Sequence, residues 1–119
     1  MITIFHNPRC SKSREALALV EDFAARRHES IEVVEYLKTP LTEQQLAALL
    51  EQLGCGARDM VRSNEDEYDA LGLAQADDAV LLKAVAAQPK LLQRPIVVYE
   101  GRAVIGRPPE RINDLLKTD

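Results

Sequence analysis

The segment Ile2-Thr3-Ile4-Phe5-His6-Asn7-Pro8-Arg9-Cys10-Ser11-Lys12-Ser13-Arg14 passes from strand to helix through a turn built around one cysteine. The apolar run at its start predicts a strand over 2–6. Beyond the turn, Ala16, Leu19, Val20 and Phe23, with Leu17 beside them, recur at helical spacing and predict a helix over 12–27. Ser11 or Cys10 stands near its N-cap. A cysteine at such a junction faces the unpaired N–H groups and the positive dipole end of the helix, both of which favour an anion. Arg9, Lys12 and Arg14 add positive charge within the same few residues. That setting lowers a thiol pKa and makes a nucleophile. A lone cysteine is ordinarily a small buried hydrophobe, but the polar, cationic and proline-marked surroundings of Cys10 do not suit that role.

After the helix, Ile31-Glu32-Val33-Val34-Glu35-Tyr36-Leu37 predicts a second strand. Strand, helix and strand within the first 37 residues make a βαβ unit, so the two strands run parallel with a right-handed crossover. Thr39-Pro40 breaks the chain. Thr42 and Gln45 form a capping box ahead of a stripe of Leu46, Leu49, Leu50 and Leu53, and Gly54 ends that helix. A short helix is expected over 56–62. Asn64 or Asp66 begins a turn or helix through Tyr68 and Leu71 to Gly72. Asp77 or Asp78 caps another, with Val80, Leu81, Leu82 and Val85 apolar, ending before Pro89. Residues 42–88 thus read as helical, with no strand pattern. Ile96-Val97-Val98-Tyr99, the turn Glu100-Gly101 and Ala103-Val104-Ile105 form an antiparallel hairpin. Pro108-Pro109 starts a last helix with Ile112, Leu115 and Leu116 inward.

This order is that of an α/β, thioredoxin-like fold. It implies a four-stranded mixed sheet in the order 2-1-3-4, and a single domain over 1–119 with a helical insertion at about 41–89. Pro95, just before the third strand, lies where that fold places a cis-proline facing the active cysteine. The chain has 119 residues, 46% of them apolar and 29% charged, a globular composition. A net charge of −4 argues against binding nucleic acid or an anionic membrane. No apolar run reaches membrane-spanning length, and no basic, apolar leader opens the chain. Cys10 and Cys55, 45 positions apart, make no disulfide framework, which points to the reducing cytoplasm. His6, Cys10, His28 and Cys55 lack ligand-pair spacing, so no metal is expected. A monomer is expected.

Several cysteine chemistries can be compared. Thiol–disulfide oxidoreductases usually carry Cys-x-x-Cys, but Ser13 occupies the last position here. Cys10 must then be resolved by an external thiol, such as glutathione or a partner protein. A cysteine phosphatase loop needs a longer spacing than the three residues between Cys10 and Arg14. A cysteine protease needs a general-base histidine, and His28 at a helix end reads as a surface residue. His6, at the end of the first strand, either helps to hold a thiolate or is a strand-end histidine bonded to backbone. Arg62, Arg94 and Arg107 stand at loop ends. The sheet order brings Arg94 to the Cys10 end and lets Arg107 approach from the hairpin exit. A lone arginine is ordinarily a solvated surface charge; several around one cysteine fit forked recognition of an oxyanion.

His6-Asn7-Pro8-x-Cys10-x-x-Ser13-Arg14, Arg58-x-x-x-Arg62, Arg94-Pro95-Ile96-Val97-Val98 and Gly106-Arg107-Pro108-Pro109-Glu110 resemble the glutaredoxin-coupled arsenate reductases of the bacterial ArsC family across almost the full chain. The resemblance implies a Cys10 nucleophile that attacks arsenate. It implies three oxyanion-binding arginines (Arg62, Arg94, Arg107) and a His6 that lowers the thiol pKa, with Asn7, Ser13, Arg14 and Pro95 in support. It further implies reduction of arsenate to arsenite with glutathione as co-substrate, glutaredoxin as partner, and no bound cofactor. Cys55 matches no catalytic position. The chain ends sooner after its last helix than the longer-tailed reductases of this type. Spx-type regulators share the fold and would make the chain a binding protein, but they favour Cys-x-x-Cys. A general glutathione-dependent thiol oxidoreductase would not need three arginines.

Overall fold

Four short strands rich in β-branched residues build one sheet: β1 Ile2–Phe5, β2 Ile31–Val34, β3 Ile96–Tyr99 and β4 Arg102–Ile105. β1 is central. It runs parallel to β2, with Phe5 opposite Val34, and antiparallel to β3, with Phe5 opposite Ile96. β3 and β4 form the antiparallel hairpin, so the order is β2-β1-β3-β4, as the chain order implied. The second strand stops at Val34 rather than at residue 37. Among the described residues its only ladder partner is β1, and the last bond between them runs from the His6 N–H to the Val34 carbonyl at 2.8 Å. Beyond that bond the chain turns and buries Tyr36 completely.

The computed structural model describes residues 1–108 and 110–116. They fall into two compact units, residues 1–36 with 94–108 and 110–116, and residues 37–93. In the first unit, α1 (Ser11–Arg27) and α5 (Glu110–Leu116) cover one face of the sheet. Ile2, Ile4, Val97 and Tyr99 supply the strand side of this core, and Ala16, Val20, Phe23, Ala24, Ile112, Leu115 and Leu116 the helix side. Phe23 meets Tyr99 edge to face at 5.8 Å. Leu19, expected on the buried stripe, is only partly covered. The last helix begins at Glu110; Pro108 precedes it as a bend, and Pro109 lies outside the described residues.

The second unit is α2 (Glu43–Leu53), α3 (Asp66–Ala70) and α4 (Asp78–Ala87), joined through short 3₁₀ turns at Ala57–Met60, Leu73–Gln75 and Pro89–Leu91. Both halves of the Thr42–Gln45 capping box are formed, and Gly54 closes α2 in the left-handed conformation at φ 66°. Asp77 caps α4 by accepting from the Val80 N–H at 3.0 Å. Leu46, Leu49, Met60, Leu73, Leu81 and Leu91 are buried. Its one departure from a purely helical pattern is an isolated bridge between Val61 and Leu92. Arg58 ties the connections together: it donates to the Leu73 carbonyl at 2.9 Å, the Ala76 carbonyl at 2.7 Å and the Tyr68 hydroxyl at 3.2 Å. No helix among the described residues is long and apolar enough to cross a membrane.

Gly106 joins β4 to the last turn before α5 at a point with no room for a side chain. A Cβ there would lie 2.8 Å from Ile112 Cδ1 and 3.1 Å from Pro95 Cγ. Its N–H donates to the Pro95 carbonyl at 2.8 Å, so the same residue ties the start of β3 to the end of β4. Gly106→Ala should destabilise the protein by about 1–3 kcal/mol through overpacking, read as a lower midpoint in urea unfolding; an unchanged midpoint would show that Ile112 moves aside freely.

Candidate active site

The turn between β1 and α1 is closed by its own polar groups. The Asn7 side chain accepts from the Arg9 N–H at 3.0 Å, and the Cys10 N–H reaches the Asn7 carbonyl at 3.0 Å. Ser13, fully buried on the first turn of α1, accepts from the Asn7 N–H at 3.0 Å. Arg14 donates to the Pro8 carbonyl at 2.9 Å. These bonds make Cys10 the N-cap residue of α1, with φ −94° and ψ 123°, and its side chain does not cap the helix. The half-buried sulfur is left beside the first amides of α1.

Two of the three expected arginines meet at this end of the sheet. Arg107 Nη2 lies 3.8 Å from Cys10 Sγ, and its Nε donates to the Arg94 carbonyl at 2.8 Å. Arg94 precedes Pro95, and the bond between them is cis; the Arg107–Pro108 bond is cis as well. Arg62 belongs to the second unit. Its side chain is 11% exposed, with Nη2 3.6 Å from Glu65 and Nη1 buried without a partner. Its N–H donates to the Leu91 carbonyl at 2.7 Å.

Burial by itself pushes the Cys10 thiol up. The Ser13 N–H, the Arg94 and Arg107 side chains and the Lys12 N–H more than offset it, and the net pKa lies below the ordinary thiol value. Cys55 goes the other way: burial and the Asp59 carboxylate both raise its pKa. His6 is 5% exposed, with Nδ1 unpartnered. Burial is the largest influence and lowers its pKa against the charge of Glu35 and a hydrogen bond to the Ser13 backbone. The imidazole is therefore neutral at pH 7.

One residue here escaped the sequence reading. Tyr36, fully buried, places its hydroxyl beside Arg94 and Asn7 and close enough to Cys10 to feel its charge. The parallel register offered a signal: Tyr36 lies two residues past Val34, as Asn7 lies two past Phe5, its partner.

A family model described as the ArsC family matches residues 5–115. The chain belongs to the ArsC family. Its sequence is 48% identical to the arsenate reductase of Neisseria meningitidis serogroup A over 118 residues, 97% of either chain. It is 44% identical over 118 residues, again 97% of each, to the uncharacterized protein YfgD of Escherichia coli K12. Among solved structures it is similar to the arsenate reductase from Vibrio cholerae, with a TM-score of 0.87 and 43% identity over 95% of both chains. The thioredoxin-like architecture expected from the order of elements is thus the architecture of this ArsC protein.

A depressed thiol pKa keeps the thiolate populated at pH values where a free cysteine is protonated. The pH profile of Cys10 alkylation by iodoacetamide should have its midpoint below that of free cysteine, and Arg107→Ala should move the midpoint upward. A profile unaltered by that substitution would show that the helix amides alone hold the thiolate.

Proposed function

We propose that this ArsC chain reduces arsenate to arsenite through Cys10, with glutathione as the second thiol and glutaredoxin as the final reductant. The carrying observation is the approach of Arg107 Nη2 to Cys10 Sγ at 3.8 Å, at a helix N-terminus that lowers the thiol pKa. The names of the Neisseria and Vibrio relatives support arsenate as the oxyanion.

Arsenate is an anion, and so is its attacker. The guanidinium groups of Arg94 and Arg107, with the amides of Lys12 and Ser13, supply the positive potential that lets the two approach. On the resemblance of the Arg58-x-x-x-Arg62 motif alone, Arg62 is proposed as a third oxyanion-binding guanidinium. Cys10 thiolate attacks arsenic and an oxygen leaves as water, giving an arsenic–sulfur bond. A glutathione thiolate then attacks the adduct. As Cys10 and glutathione join in one disulfide, two thiols lose two electrons and two protons; arsenic gains the electrons and departs as arsenite. Glutaredoxin takes the glutathione from Cys10 by thiol–disulfide exchange and restores the thiol. Ser13, where a resolving cysteine would stand, leaves the external thiol as the route. His6, neutral and buried, acts as a hydrogen-bonding imidazole against the loop rather than as a positive charge.

The reading predicts arsenate-dependent NADPH oxidation in a mixture of glutathione, glutathione reductase and glutaredoxin, abolished by Cys10→Ser. Equal rates in that variant, or none with the unaltered chain, would contradict it.

A further inference from the structure

Two buried polar groups beside Cys10 have no partner. Tyr36 is 0% exposed; the Arg94 and Asn7 side chains lie close enough to its hydroxyl to draw its pKa down as hydrogen-bonding neighbours, but neither makes a hydrogen bond of full geometry to it. Arg94 Nε is buried and equally unpartnered. The two side chains are neighbours, with Asn7 alongside. Burying an unsatisfied hydroxyl costs free energy that a phenylalanine of the same shape would avoid. An orphaned hydroxyl next to an orphaned guanidinium N–H is a pair of donors arranged for an acceptor that the protein itself does not provide.

The surroundings define that acceptor. Cys10 lies near enough to the Tyr36 hydroxyl for a thiolate to raise the phenol pKa, which burial, the largest influence, drives upward; the phenol is pushed up to about 12. It stays protonated across the physiological range and serves as a neutral donor. A neutral O–H beside a guanidinium N–H suits one oxygen of a tetrahedral oxyanion, to which it donates without adding charge. We propose that Tyr36 is a substrate-contacting residue of the Cys10 site, its hydroxyl and Arg94 Nε together donating to one oxygen of the oxyanion held next to the sulfur. This assignment rests on the oxyanion-reducing function proposed above and adds to it a residue outside the cysteine loop and the arginine set.

The test uses the full-length chain, Tyr36→Phe, and arsenate as the probe. Arsenate protection of Cys10 from iodoacetamide is titrated, each variant scaled to its own rate without arsenate, and thermal unfolding is recorded without ligand. Half-protection in Tyr36→Phe should require about tenfold more arsenate, the worth of one hydrogen bond to a charged oxygen. The variant should unfold at or above the temperature of the unaltered chain, because no internal hydrogen bond of full geometry is lost. Equal protection in the two proteins would overturn the role of Tyr36 while leaving the oxyanion reading intact. A melting temperature lowered by several degrees would show that the hydroxyl has an internal partner and would overturn it too. Absence of protection in the unaltered chain would overturn the oxyanion reading itself and the tyrosine's role with it.

Discussion

The hydrogen bond from the Asn7 N–H to the buried Ser13 hydroxyl, 3.0 Å long, is the constraint on which the site depends. It folds the turn after β1 back onto the first turn of α1, so that Cys10 caps the helix without using its side chain to do so. The same bond explains the residue at position 13. A hydroxyl accepts from the loop backbone far better than a thiol does, so the serine that shapes the loop also removes the resolving thiol that related redox proteins keep there. Geometry and chemistry meet in one side chain.

Around that loop, burial and donor groups pull the thiol in opposite directions. Burial is the strongest single influence on Cys10 and opposes ionisation. Two backbone amides and two arginines together reverse it. Their positions come from different parts of the chain: the amides from α1, Arg94 from the approach to β3, and Arg107 from the exit of β4. What holds the last two together is backbone. The Arg107 guanidinium is anchored on the Arg94 carbonyl, and the Gly106 N–H on the Pro95 carbonyl. Cys55 lacks any such array; burial and Asp59 raise its pKa. Two cysteines in one chain are thereby made chemically unequal.

Much of this was legible in the sequence because each element carries its own period or punctuation. The β1–turn–α1 segment, the Thr42–Gln45 capping box, the Asp77 cap and the hairpin across Glu100-Gly101 need only local chemistry. The parallel pairing of β1 and β2 followed from handedness and connection length, and the sheet order from the thioredoxin-like order of elements. What was not legible depends on tertiary pairing. The end of β2 is set by where β1 runs out, not by the apolar pattern that continues to Leu37. Arg58 carries the same charge as Arg62 at helical spacing, yet it spends its donors on carbonyls at Leu73 and Ala76. Tyr36 read as one more strand aromatic, and only its complete burial without a partner sets it apart.

In the proposed reaction Cys10 attacks an oxyanion and is then resolved by an external thiol. Mass spectrometry of the reduced protein after brief exposure to glutathione, with and without arsenate, addresses it most directly. One glutathione is expected, bound through a disulfide at Cys10, formed only when arsenate is present and absent from Cys55. A glutathione adduct that forms equally without arsenate, or that appears on Cys55 instead, would contradict it.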